Sequence, residues 1–237
     1  MSVATEKDAE AALVAVPLLE GGDQLTRAEF ERRYQAMPHV KKAELIEGVV
    51  YVPSPARVKK HGVPQSGVVG WLLFYSAHTP GVEVADNATV RLDLDNEPQP
   101  DVLLRILPEA GGQTTDSADD YVEGAPEMAA EVASSSASYN LHQKKNAYRR
   151  NRVREYLVWV TEEPRLHWWE LRNEQYLPLE PDAQGIIKSR VFPGLWLDVA
   201  ALLRKDFARV LEVVAQGVAS GEHKTFVVQL AEALKQK

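Results

Sequence analysis

Residues 121–160 read YVEGAPEMAAEVASSSASYNLHQKKNAYRRNRVREYLVWV, and the fold turns on how this stretch is divided. It divides into strand, polar turn, helix and strand. Met128 to Ala133 is expected as a strand. Met128, Ala130 and Val132 then face one way, and Glu127, Ala129, Glu131 and Ala133 the other. Glu131 is flanked on its own face by two alanines, which leave room beside it for an ion or a substrate. Ser134-Ser135-Ser136 is a turn. A helix over about 139–151 puts Leu141, Lys144 and Tyr148 on one stripe, with Lys145, Arg149 and Arg152 on its neighbour. Residues 154–160 form a strand of buried type. Glu131 and Lys144 therefore both point inward, which is costly unless each meets the other, a metal or a ligand.

Upstream, Pro100-Asp101 opens the run VLLRIL, a strand with Asp101, Leu103, Arg105 and Leu107 on one face. Proline is tolerated there because a strand start need not donate to the ladder. Residues 82–84 and 88–94 are further strands, and 108–120 a surface loop. Nearer the N-terminus, Thr26 and Glu29 form a capping box, with Leu25 and Phe30 placed as a staple. That helix runs to about Ala36 and stops before Pro38. AELIEGVVYV reads as a hairpin, Ala43–Ile46 and Val49–Val52 around Glu47-Gly48. A second helix, 63–77, carries Pro64 in its first turn and is apolar on most faces, so it must be buried.

Downstream, 166–171 and 176–179 read as an antiparallel pair and 192–195 as a closing segment. Two helices follow, at about 200–217 and 223–236. Helices standing between strands predict an α/β fold, a mixed central sheet flanked by helices. Residues 1–24 are Ala- and Glu-rich and read as a mobile tail.

The chain has 237 residues and no cysteine, which excludes disulfides, zinc-thiolate sites and a thiol nucleophile. No apolar run approaches the roughly 20 residues needed to span a bilayer. The first residues lack the basic start of a signal peptide, so the chain reads as cytoplasmic, without a membrane partner. The net charge is -7, from 27 basic and 34 acidic residues. Any contact with nucleic acid must then be local and directed at phosphate.

Asp101, Glu131 and Lys144 carry two readings. In the first they are structural: a buried ion pair, and a residue that merely opens a strand. In the second, Asp101 and Glu131 supply oxygens to a hard cation such as Mg²⁺, which binds through one or two carboxylates and keeps several waters. Lys144 would then orient water or stabilise charge in a phosphoryl transition state. Glu44, among apolar neighbours in AELIEGV, is a further acidic candidate. His61, after Lys59-Lys60 at a helix start, is a candidate phosphate contact or proton carrier. The run KKNAYRRNRVR, with six positive charges, is either a track of phosphate contacts or a solvated helix face. Trp159, Trp168 and Trp169 read as packing residues. The serine run lacks a nucleophile elbow.

Taken in order, PDVLL, the Y-x-x-G-x-P segment from Tyr121 through Pro126 to Glu131-Val132 and Ser134, Lys144-x-x-x-Tyr148, Glu155-Tyr156 and VFPGLWLDV resemble the Uma-type restriction endonucleases. These are a branch of the PD-(D/E)XK nuclease superfamily. AELIEG and Lys60-His61 match the family's opening. The resemblance spans about residues 25–198, leaving 199–237 as a C-terminal helical extension. It implies a restriction-endonuclease-like core and Mg²⁺- (or Mn²⁺-) dependent hydrolysis of DNA, with Asp101 and Glu131 as metal ligands. Lys144 would supply from the helix the lysine that the strand lacks at Ala133. It also implies nucleic acid, DNA, as partner, and a homodimer that cuts both strands. One departure stands out: the family has Asp four residues before the lysine, where this chain has Asn140. Asn140 is still expected to cap the helix. That departure and the acidic charge keep a second function in view, a non-cleaving nuclease-fold binding or regulatory protein.

Overall fold

The computed structural model describes residues 16–134 and 136–235. The first helix, α1 (Arg27–Gln35), begins where its cap predicts, with the Glu29 N–H donating to the Thr26 hydroxyl at 3.4 Å. The reciprocal half of the box is not made, because Arg32 and Arg33 each draw the Glu29 carboxylate to 2.7 Å. β1 (Glu44–Ile46) and β2 (Val49–Tyr51) form the expected hairpin. Its two turn residues, Glu47 (φ 53°) and Gly48 (φ 74°), both lie in the left-handed region, the tight turn that matches strand twist. Leu19, Phe30, Met37, Leu45 and Val50 enclose a small core under this hairpin.

The expected tail is therefore shorter than 1–24. Leu19 is buried, and the Gly22 N–H donates to the Val50 carbonyl at 2.8 Å. Residues 1–15 of that tail, Ser135 of the serine turn and residue 236 of the last expected helix lie outside the described residues.

A π-helical turn (Val58–Gly62) leads into α2 (Val63–Ala77). The strands that follow are β3 (Val82–Asp86), β4 (Val90–Arg91), β5 (Val102–Ile106), β6 (Thr115–Asp116), β7 (Val122–Glu123) and β8 (Met128–Ala133). After the helical segment come β9 (Glu155–Val160), β10 (Arg165–Arg172), β11 (Gln175–Pro178), β12 (Ile186–Lys188) and β13 (Trp196–Asp198). Six strands form the central sheet, in the order β11-β10-β9-β8-β5-β3. Only the β8–β9 pairing is parallel; the others in this sheet are antiparallel.

A parallel pair needs a crossover, and residues 137–150 supply it across one face of the sheet. The opposite face is covered by α2. There Val68, Trp71, Leu72 and Tyr75 pack on Val102, Leu104, Met128, Ala130 and Val132. The alternation read from the sequence thus sends the apolar set of β5 and β8 to α2, and leaves Asp101 and Glu131 for the crossover side.

Four expectations change. The strand over 88–94 shrinks to β4, because Leu92 and Asp93 both donate N–H to the Asn96 carbonyl and turn the chain. The crossover helix begins earlier, with α3 (Ala137–Tyr139), then a π-helical turn (Asn140–Lys144), then α4 (Lys145–Arg150). Asn140 is consequently buried inside the helical segment and is not its N-cap. The two C-terminal helices are three, α5 (Val199–Leu203), α6 (Phe207–Val218) and α7 (Gly221–Lys235). Lys205 (φ 61°) breaks the first, and the Asp206 carboxylate caps the next by accepting the Arg209 N–H. α6 lies against α2, where Gly67 makes way for the Phe207 ring; a Cβ at 67 would stand 2.0 Å from it. Among the described residues, no helix is long and apolar enough to cross a membrane.

Candidate active site

The β5–β8 register pairs Val102 with Ala130 and so brings Asp101 opposite Glu131. β5 begins only at Val102, which leaves the N–H and C=O of Val132 without a strand partner on that side. Side chains take them instead. The Val132 N–H donates to Asp101 Oδ2 at 2.8 Å, and His61 Nδ1, carrying the proton, donates to the Val132 carbonyl at 2.8 Å. The other ring nitrogen of His61 lies 3.5 Å from Asp101 Oδ1. Gln65 donates to the Asp101 carbonyl at 3.2 Å. The π-helical turn before α2 thus aims His61, and the first turn of α2 aims Gln65, at one aspartate.

Lys144 closes the π-helical turn of the crossover and points at the sheet. Its Nζ donates to Glu131 Oε1 at 2.6 Å and to Glu44 Oε1 at 2.7 Å. Glu44 Oε1 also accepts the Gln99 N–H, and Glu131 Oε1 also accepts the Tyr148 hydroxyl at 3.1 Å. All three charged side chains are 5% exposed or less. The Tyr139 ring lies 5.8 Å from Lys144 Nζ and packs on Tyr51, and its hydroxyl is buried with no hydrogen-bond partner.

Burial sets the protonation of this group. It pushes the Glu131 carboxyl up to about 7, against the pull of Lys144 and with help from Asp101 and Glu44. Burial alone would push Lys144 down. Glu131, Glu44 and Asp101 outweigh it and hold the ammonium above its ordinary range. Lys144 is a permanent cation, whereas Glu131 titrates near neutrality.

All five residues singled out from the sequence, Asp101, Glu131, Lys144, Glu44 and His61, converge here. Three side chains of the basic run have partners within the chain. Arg149 donates to the Glu174 carbonyl, Arg150 pairs with Glu47 at 3.1 Å, and Lys145 sits 3.7 Å over Trp169. Lys42 was missed. It donates to Asp101 Oδ1 and to Asn87 Oδ1, each at 3.2 Å. It stands two residues before Glu44, just outside β1, so no strand alternation marked it. Glu155, also buried, belongs elsewhere: it accepts from Trp168 Nε1, the Ser189 hydroxyl and the N–H groups of Arg190 and Val191.

The donors between the start of β5 and the end of β8 are mostly oxygen, two carboxylates and the Val132 carbonyl, with His61 Nε2 beside Asp101. That set suits a hard divalent cation. Among the described residues, no three His, Asp or Glu side chains are grouped to hold a metal by themselves. Two carboxylates suffice for an ion that keeps its waters.

A mixed central sheet with α2 on one face and the helical crossover on the other is the restriction-endonuclease-like class of α/β fold. The chain belongs to the Uma2 family, described as "Putative restriction endonuclease", whose model matches residues 27–200. Its fold is similar to that of "a putative nuclease belonging to DUF820" from Anabaena variabilis ATCC 29413. The TM-score is 0.54 at 15% identity, over 73% of this chain and 96% of that one. No curated protein matches the chain.

Proposed function

We propose that this protein is a metal-dependent endonuclease that hydrolyses phosphodiester bonds of DNA. The observation that carries the reading is the Lys144 ammonium, enclosed by Glu131 and Glu44 and adjoining Asp101. A purely structural pair needs one partner for the lysine. Here three acids and one imidazole gather where β8 runs past the start of β5 and has no ladder partner on that side.

Asp101 and Glu131 are the residues to hold Mg²⁺ or Mn²⁺, which would supply a Lewis acid for the phosphoryl oxygen and a more acidic water. His61 fixes Asp101 and the Val132 carbonyl in place. Lys144 keeps Glu131 and Glu44 oriented and favours the ionised form of Glu131. Glu131, with its proton held near neutrality, would be ionised by a cation arriving beside it. A homodimer would let two such sites cut both strands.

The test is nicking of plasmid DNA in Mg²⁺ or Mn²⁺ by wild type, Glu131→Ala and Lys144→Ala. Wild type should nick and both variants should lose at least about 10²-fold in rate. Activity that survives both substitutions would rule out this site. DNA retained in a gel shift but never cut would favour the non-cleaving binding protein instead.

A further inference from the structure

Two lysines meet the acidic cluster, and they differ in access. Lys144 has 2% of its side chain exposed and both carboxylate partners within 2.7 Å. Lys42 has 25% exposed, and its partner Asp101 Oδ1 is the outward oxygen, since Oδ2 is taken by the Val132 N–H. Its other partner, Asn87, lines an open hollow of about 440 Å³ together with Gly62, Gln65 and Asp86. The acid on that wall, Asp86, accepts from Gln65 at 2.6 Å and from Asn87 at 3.0 Å. A phosphodiester entering from solvent reaches Lys42 first. To reach Lys144 it would have to part a buried ion triad, which is strongly unfavourable.

We propose that Lys42 is the catalytic lysine that touches the scissile phosphate, and that Lys144 positions Glu131 and Glu44 behind it. This rests on the nuclease reading above. The long contacts of Lys42 suit the role. At 3.2 Å it is held weakly beside Asp101, and a cation bound by that carboxylate would free the ammonium toward the hollow without exposing a buried charge. Lys42 would then offset charge developing on a non-bridging oxygen in the transition state, the work of a preorganised donor.

The experiment compares wild type, Lys42→Ala and Lys42→Arg in two assays. The first is binding of a fluorescent DNA duplex in Ca²⁺, a hard cation that takes the same oxygen ligands and so frees Lys42, by anisotropy, from 50 to 200 mM KCl. Lys42→Ala should lower the slope of log K against log salt by about 0.9, one phosphate contact, and Lys42→Arg should keep it. The second is the nicking rate against Mg²⁺ concentration. Lys42→Ala should lose about 10²-fold in maximal rate with no rise in the Mg²⁺ needed for half-saturation, and Lys42→Arg should recover much of it. Faster nicking at lower Mg²⁺ would mean that Lys42 only competes for Asp101, and would overturn the proposal. If wild type does not nick at all, the nuclease reading fails by itself, and an unchanged salt slope then overturns the Lys42 contact as well.

Discussion

Glu131→Gln should flatten part of the pH dependence of folding stability. The carboxyl moves from an ordinary 4.5 to about 7 in the folded chain, driven by burial. Between those values the native state holds a proton that the unfolded chain has released. Stability therefore falls as pH rises through the window. The contribution is fully present below pH 4.5 and gone above about 7. At about 1.4 kcal/mol per unit, the shift amounts to about 3 kcal/mol. Glutamine keeps the shape and an acceptor for Lys144 but cannot titrate, so this component of the slope vanishes. Glu97, pushed up to about 8, and the raised carboxyls of Glu127 and Glu155 contribute the same sign in both proteins and cancel in the comparison. The assay is urea denaturation of wild type and variant at pH 4.5, 6, 7 and 8. With m of about 2 kcal/mol/M, the wild-type midpoint should fall by about 1.5 M more than that of the variant. Two parallel curves would refute the account, because they would mean that Glu131 is ionised in the folded protein at every one of those pH values.

Lys144→Met should cost about 3–5 kcal/mol at pH 8, where it leaves two buried carboxylates unpaired, and less at pH 5, where Glu131 takes up a proton; denaturation at the two pH values measures both. Mg²⁺ at about 100 times its Kd should add about 2.7 kcal/mol, a rise in Tm of several degrees, larger at pH 8 than at pH 5. Asp101→Asn should abolish that rise, and a rise that persists in Asp101→Asn would place the ion elsewhere. Gly67→Ala should cost about 1–3 kcal/mol by pushing on Phe207, and Phe207→Leu in the same chain should return much of the loss in a melting experiment.

What the sequence made legible follows from periodicity. Alternation along 101–107 and 127–133 set Asp101 on the face opposite Val102 and Leu104, and Glu131 on the face opposite Met128 and Val132, and the observed register then put the two acids opposite each other. The stripe through Lys144 and Tyr148 was legible for the same reason, and both side chains do meet Glu131. What failed was whatever depended on a local start or stop. Asn140 has the chemistry of a cap, yet the helix begins at Ala137, and the π-helical turn absorbs Asn140 into the segment that carries Lys144. A π-helical turn leaves no signature in a 3.6-residue pattern, although such turns gather at functional sites, and two of them here deliver His61 to Asp101 and Lys144 to Glu131 and Glu44. Lys42 was hidden differently. It sits in a lysine pair that reads as solvated surface, and only the pairing of distant strands shows that its neighbour across space is Asp101. The buried half of the cluster is thus written in patterns of apolar residues, because burial is what those patterns encode. The half that faces solvent is not, and it is on that half that a substrate must act.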